Sequence, residues 1–187
     1  MTEVQIRFHG RAGQGIVTAA EITAMAAAAE GKFVQAFPFF GSEKRGPPVV
    51  AFCRISDKPI ITHEQVYEPD VVVVADHTIM DTVNVEGRLA RNGVLVINTD
   101  KTPSELGVKT GKAFTVDGTR LAVEVLGKNI TNTVVLGAMV KATGIVALES
   151  VLDAVRKQFP GEMGEKNAKL VEKAFEKTVE IEKTVEA

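Results

Sequence analysis

Apolar residues occur in three textures along this chain, and each predicts a different element. Val71 to Val74 and Val94 to Ile97 are unbroken apolar runs, the mark of strands buried on both faces of a parallel sheet. Val4 to Phe8, Lys32 to Phe39 and Val49 to Ile55 read as further strands, with the turn SDKPI reversing the last of them. A hairpin at that turn would add an antiparallel element. AFTVDG is a shorter strand ending at Asp117. The third texture is helical. Ile16 to Glu30 is rich in alanine and stops at Gly31. Further helices are predicted over Thr78 to Arg91, Thr119 to Leu126, Thr133 to Thr143, Leu148 to Phe159 and Glu165 to about Lys183, with Pro160 and Gly161 separating the last two. Leu170, Ala174, Ile181 and Val185, with Val171 and Phe175 beside them, form the apolar stripe of that final helix. Its own sheet is the expected docking surface. The order predicts an α/β fold in a single domain over 1–187, with a mostly parallel (mixed) sheet, helices on both faces and a C-terminal amphipathic helix.

Composition narrows the function. The chain has 187 residues, 45% hydrophobic and 25% charged, with a net charge of −2. That is ordinary for a globular protein and unlike a nucleic-acid binder, which would be strongly basic. Cys53 is the single cysteine, so this chain alone supplies neither a disulfide nor the thiolates of a usual iron–sulfur cluster. MTEVQIRF is too short and polar for a secretory signal, and no run approaches about 18 apolar residues. A cytoplasmic protein with no membrane or nucleic-acid partner is expected.

The chemistry, where there is any, sits in loops. HGRAGQGIVTAAEI follows the first strand and places Gly10, Gly13 and Gly15 in the spacing G-x-x-G-x-G. The dinucleotide fingerprint is G-x-G-x-x-G with an acidic residue at the end of the second strand. Here that strand ends in Phe37-Pro38-Phe39-Phe40, so a nicotinamide nucleotide is not expected. A helix start still attracts anions, and Arg11 stands beside it. The plainer alternative is a tight strand-to-helix turn with Arg11 in solvent. GSEKRGPP holds Lys44 and Arg45 between Gly41 and Gly46. In a parallel sheet these two loops and the strand ends at Asp76 and Asn98 share one rim, a crevice suited to a phosphate or an acidic partner. A solvated charge cluster is the competing reading. His9, His63 and His77 lie far apart without metal-ligand spacing, His9 at a strand end and His77 at a helix start. Cys53 is expected to be buried and inert, and Asp76 and Asp117 to cap helices rather than act as bases. No self-sufficient active site emerges. Phe37, Phe39 and Phe40 are expected to form an interface, unless strand alternation turns Phe37 and Phe39 into the core.

HGRAGQGIVTAAE, QAFPFFGSEKRGPPVVAFCRISDKPI, PDVVVVAD, GVLVINTD and NITNTVVLGAM together resemble, in order and spacing, the gamma subunits of 2-oxoacid:ferredoxin oxidoreductases, the pyruvate type above all. The likeness covers nearly the whole chain. It departs at Glu43-Lys44-Arg45-Gly46-Pro47, where the family commonly has two arginines and then Gly-Ala-Pro, so Lys44 keeps the charge without a bidentate guanidinium. The resemblance implies a mixed-sheet α/β domain that packs against the alpha, beta and delta subunits of a complex whose partner is ferredoxin. It implies that thiamine diphosphate and the iron–sulfur clusters belong to those other subunits. It also implies a part in coenzyme A binding, with Arg11, Gln14, Gly15, Lys44 and Arg45 facing either coenzyme A phosphates or a neighbouring subunit. The 2-oxoacid is left open among pyruvate, branched-chain acids, 2-oxoglutarate and indolepyruvate. An autonomous nucleotide-binding module and a purely structural subunit are the competing classes.

Overall fold

The computed structural model of the chain describes residues 3–39, 48–110 and 112–181. β1 (Val4–Arg11) leads through α1 (Ile16–Ala29) to β2 (Phe33–Phe39) and β3 (Pro48–Ser56). β4 (Val71–Val74), β5 (Val94–Asn98) and β6 (Ala113–Val116) follow, with the short α2 (Pro103–Leu106) between the last two. α3 (Gly118–Leu126), α4 (Asn132–Thr143), α5 (Leu148–Gln158), α6 (Glu162–Lys177) and the two-residue β7 (Val179–Glu180) complete the order. The strands form one mixed sheet in the order β2-β3-β1-β4-β5-β6-β7. β1, β4, β5 and β6 are parallel, while β3 runs antiparallel to both β1 and β2.

The expected antiparallel element therefore exists, but not at the expected turn. β3 reverses relative to β2, which precedes it, and nothing folds back after SDKPI. The chain leaves Ser56 into irregular structure, where Pro59 has no N–H to offer a ladder. That stretch is held to the sheet by Arg54, whose guanidinium donates to the carbonyls of Glu64 at 2.6 Å and Gln65 at 3.2 Å. Pro38 is tolerated because β2 is an edge strand.

Alternation divides the sheet into two unequal coats. Ile6, Phe8, Val71, Val73, Val94 and Val96 face a core to which α1, α3, α4, α5 and α6 all contribute. Val72, Val74, Leu95 and Ile97 face the other way, onto Ile79, Val85 and Leu106. The predicted helix over Thr78 to Arg91 is the main miss: only His77–Asp81 is helical, as one 3-10 turn. Arg7 donates to the carbonyls of Val85 at 2.9 Å and Gly87 at 2.8 Å, and Arg88 takes a left-handed φ of 60°. A guanidinium has taken acceptors that a helix would have used for itself.

The final helix starts three residues before its predicted start at Glu165 and stops at Lys177. Thr178 then returns its hydroxyl to the Ala174 carbonyl at 2.6 Å, and the chain becomes β7 beside β6. Ile181 thus lies outside the helix, packed at the second core, and Val185 is outside the described residues. Leu170, Val171 and Ala174 are fully buried, so α6 docks within its own chain, chiefly on α4. There a Cβ on Gly137 would stand 2.2 Å from the Val171 carbonyl oxygen; only glycine permits that approach.

Candidate functional site

The C-terminal ends of β1, β4, β5 and β6 point to one rim, and the chain runs outward from β1 in opposite directions across the sheet. Such a switch point opens a crevice between neighbouring loops. Here it is a cleft of about 530 Å³ lined by Gln14 from the glycine loop, Asp76 after β4, Asn98 at the end of β5, Asp117 after β6 and Thr131 at the start of α4. The expected meeting of the GRAGQG loop with Asp76 and Asn98 is therefore observed. Lys44 and Arg45, the basic half of that expectation, lie outside the described residues. The charged groups seen in the cleft are Asp76, Asp100, Asp117 and Arg120.

A ring of bonds shapes the glycine loop. The Arg11 amide donates to Gln14 Oε1 at 2.7 Å, Gln14 Nε2 to Asp76 Oδ2 at 3.2 Å, and Arg11 Nε to the same oxygen at 3.0 Å. Arg11 Nη2 also donates to the Thr78 hydroxyl at 2.7 Å. Arg11 is exposed but paired: its charge is placed against Asp76, and it is not among the residues that line the cleft. Burial acts to raise the Asp76 pKa, but the bonds from Thr78, Gln14 and Arg11 outweigh it and hold the carboxyl below its ordinary value. Asp76 also accepts from the Thr78 amide at 3.0 Å and caps the 3-10 turn, and Asp117 accepts from the Arg120 amide at 3.1 Å and caps α3. Both aspartates do the capping expected of them. Gly15, at φ 73°, opens α1 with no side-chain cap, and a Cβ there would meet Asn132 Nδ2 at 2.7 Å.

Asn98 is a site residue whose importance the sequence did not show. Its amide donates to the Ala75 carbonyl at 2.9 Å and accepts from the Gly118 N–H at 2.8 Å. One buried side chain thereby locks the ends of β4 and β5 to the start of α3. The only outward sign was a polar residue closing the run VLVIN.

The opposite end of the sheet presents aromatics. Phe37 and Phe39 point away from the helical core, so alternation does not bury them there. Their rings lie 5.2 and 6.4 Å from that of Phe52. Phe39 is 39% exposed and Phe33 47%; Phe40 lies outside the described residues. Beneath them Arg54, only 1% exposed, donates to Gln5 and Gln35 and stacks 5.6 Å from the Phe37 ring. A charge inside the run AFCRIS was the signal for it.

The model of the pyruvate ferredoxin/flavodoxin oxidoreductase family matches residues 5–177, from β1 to the last residue of α6. The chain belongs to that family. It is 57% identical to the pyruvate/ketoisovalerate oxidoreductases common subunit gamma of Thermococcus kodakarensis, over 96% of this chain and 99% of the relative. It is 54% identical to pyruvate synthase subunit PorC of Methanocaldococcus jannaschii, over 92% of this chain and 95% of that one. The crystal structure of pyruvate oxidoreductase subunit PORC from Thermotoga maritima superposes with a TM-score of 0.84 at 38% identity, covering 96% of this chain and 99% of that one.

For a ferredoxin-linked family the donor set is informative. Cys53 is buried, and burial pushes its thiol pKa up to about 12. Among the described residues no group of three or more His, Cys, Asp and Glu is arranged to hold a metal. A cluster that needs about four thiolates does not fit these side chains. No helix among the described residues is long and apolar enough to cross a membrane.

His9, within β1 rather than at its end, is the titratable group this family member has buried most completely at the rim. Arg7 Nε donates to its Nε2 at 3.0 Å, which places the ring proton on Nδ1, where it meets no partner among the described residues. Burial first, and the Arg7 charge second, push its pKa down to about 3 from an ordinary 6.5. The unfolded chain therefore takes up this proton before the folded one does. Its contribution to stability is complete above pH 6.5 and is lost as pH falls toward 3, at roughly 1.4 kcal/mol per pH unit. Urea unfolding at pH 7 and pH 4.5 should show a loss of about 2–3 kcal/mol from this group, and His9→Gln should flatten that slope. Equal slopes in the two proteins would contradict the assignment.

Proposed function

We propose that this chain is the gamma subunit of a multisubunit pyruvate:ferredoxin oxidoreductase, which converts pyruvate, coenzyme A and oxidised ferredoxin to acetyl-CoA, CO2 and reduced ferredoxin. The observation that carries this reading is the end-to-end match to gamma and PorC subunits at 54–57% identity. Alpha, beta and delta subunits are its partners in the cytoplasm, and thiamine diphosphate and the iron–sulfur clusters are theirs. The Thermococcus relative is named as common to pyruvate and ketoisovalerate enzymes. That supports a second reading, in which the same subunit serves a complex acting on a branched-chain 2-oxoacid. Both agree that the 2-oxoacid is selected by another chain.

Two surfaces do the work in this proposal. Phe37, Phe39 and Phe40 form the contact with a catalytic subunit; the exposed Phe33 and Phe39 on the edge strand β2 support it. The rim bearing Arg11, Gln14 and Gly15, together with Lys44 and Arg45 of the neighbouring loop, takes coenzyme A. A cleft at the switch point of an open sheet supports that part.

Phe39→Asp should leave the isolated chain folded, because the ring is exposed, and should sharply reduce co-purification with the other subunits. Undiminished co-purification would remove Phe39 from the interface. Arg45→Ala should raise the Michaelis constant for coenzyme A about tenfold, as expected for one charge-assisted phosphate contact. The constant for the 2-oxoacid should not move. Weakened assembly with normal coenzyme A dependence would instead assign Arg45 to a subunit contact.

A further inference from the structure

We infer that Asp76 is a positioning residue: it fixes the shape of the glycine loop across the gap between β1 and β4, and Arg11 and Gln14 are its handles on that loop rather than ligand contacts. This role rests on the coenzyme A reading of the rim and deepens it, because it gives Arg11 and Gln14 a different part from the one that reading assigns them.

The loop has little else to hold it. Gly13 and Gly15 stand at φ 85° and 73°, and glycine gives up more conformational freedom on being fixed than any other residue. The ladders of β1 end at Arg11 on one side and His9 on the other, so residues 12–15 lie beyond both. Among the described residues one backbone bond closes the loop, from the Gln14 N–H to the Arg11 carbonyl at 3.1 Å. The other bonds come from side chains, and they converge on Asp76. Gln14 works in two directions: its Oε1 accepts from the Arg11 N–H at 2.7 Å while its Nε2 donates to Asp76 Oδ2 at 3.2 Å. Arg11 Nε donates to the same oxygen at 3.0 Å.

Asp76 is itself anchored before it meets the loop. The Ala75 N–H donates to the His9 carbonyl at 2.9 Å, which carries the β1–β4 pairing up to its neighbour. Asp76 Oδ1 accepts from the Thr78 N–H at 3.0 Å and from the Thr78 hydroxyl at 2.7 Å. That hydroxyl in turn accepts from Arg11 Nη2 at 2.7 Å, and so closes the circuit. Four donors on two oxygens call for an ionised, acceptor-only carboxylate.

Two plainer roles for Asp76 predict different behaviour. As the cap of the 3-10 turn alone, it could be replaced by asparagine, whose amide oxygen caps equally well. As a bare negative charge lining the cleft, its removal would help an anion to bind. Positioning predicts the opposite sign. In Asp76→Asn the side-chain oxygen can still take the Thr78 N–H, but the amide nitrogen then faces Arg11 Nε and Gln14 Nε2, donor against donor.

The test compares Asp76→Asn and Arg11→Lys with the unaltered protein in two settings. In the full chain without ligand, hydrogen exchange at the Arg11 and Gln14 amides should quicken about tenfold, as for the loss of one hydrogen bond, with little change in melting temperature. In the reconstituted complex, the Michaelis constant for coenzyme A should rise about tenfold. Its kcat and the constant for the 2-oxoacid should not move. Arg11→Lys keeps the charge but loses the planar fork that spans Asp76 and Thr78, so it should reproduce both effects. Faster exchange with an unchanged coenzyme A constant keeps Asp76 as the anchor of the loop and removes the coenzyme A reading of this rim. Unaltered exchange in Asp76→Asn overturns the positioning role; a coenzyme A constant that is also unchanged, or lower, leaves that reading standing. Unaltered exchange and coenzyme A dependence in Arg11→Lys overturn the part given to Arg11.

Discussion

β1 carries a hydrogen-bonded ladder on both edges, antiparallel to β3 on one side and parallel to β4 on the other, and the rest of the molecule hangs from that junction. On the antiparallel side α1 crosses from β1 to β2, β3 runs back between them, and one face of β2 and β3 bears side chains such as Phe37, Phe39 and Arg54. The parallel side requires crossovers, buries its strands on both faces, and sends every strand end to one rim. Because β1 belongs to both halves, the loop that leaves it stands at the edge of the cleft. Gln14 and Arg11 then reach Asp76 across the gap between β1 and β4.

Charge is placed with economy on this frame. Arg7 and Arg54 donate to peptide carbonyls of irregular chain and so fasten it to the sheet, and Arg7 also donates to His9. Arg11 spends its charge on Asp76 and fixes the loop before α1. α1 and α4 begin with no acidic residue in the first turn. Conventional acid–base groups are either capped, as Asp76 and Asp117 are, or kept neutral by burial, as His9 and Cys53 are.

The parts legible in the sequence were those governed by local rules. Unbroken valine runs marked β4 and β5, alanine marked α1, and Gly15 with Gln14 marked the rim. Asp76 and Asp117 were read as caps from their positions alone. Long-range bonds defeated the rest. A helix over Thr78 to Arg91 looked sound until Arg7, some eighty residues earlier, claimed its carbonyls. α6 was read through Ile181 because the apolar stripe continues in phase, whereas the β-branched pair at Thr178 and Val179 turned the chain into β7. Asn98 was legible as a polar strand end on the rim, but its bonds to the Ala75 carbonyl and the Gly118 N–H, about twenty residues away on either side, were not.

The central claim is that this chain contributes a docking face and an anion-binding cleft, but no redox centre, to its oxidoreductase. The most direct measurement reconstitutes the complex with and without this chain, and records iron content beside coenzyme A-dependent, 2-oxoacid-driven reduction of ferredoxin. The account predicts that the remaining subunits keep all of their iron while turnover collapses and returns when the chain is added back. Iron that leaves with the chain, or turnover that is indifferent to it, would contradict the claim.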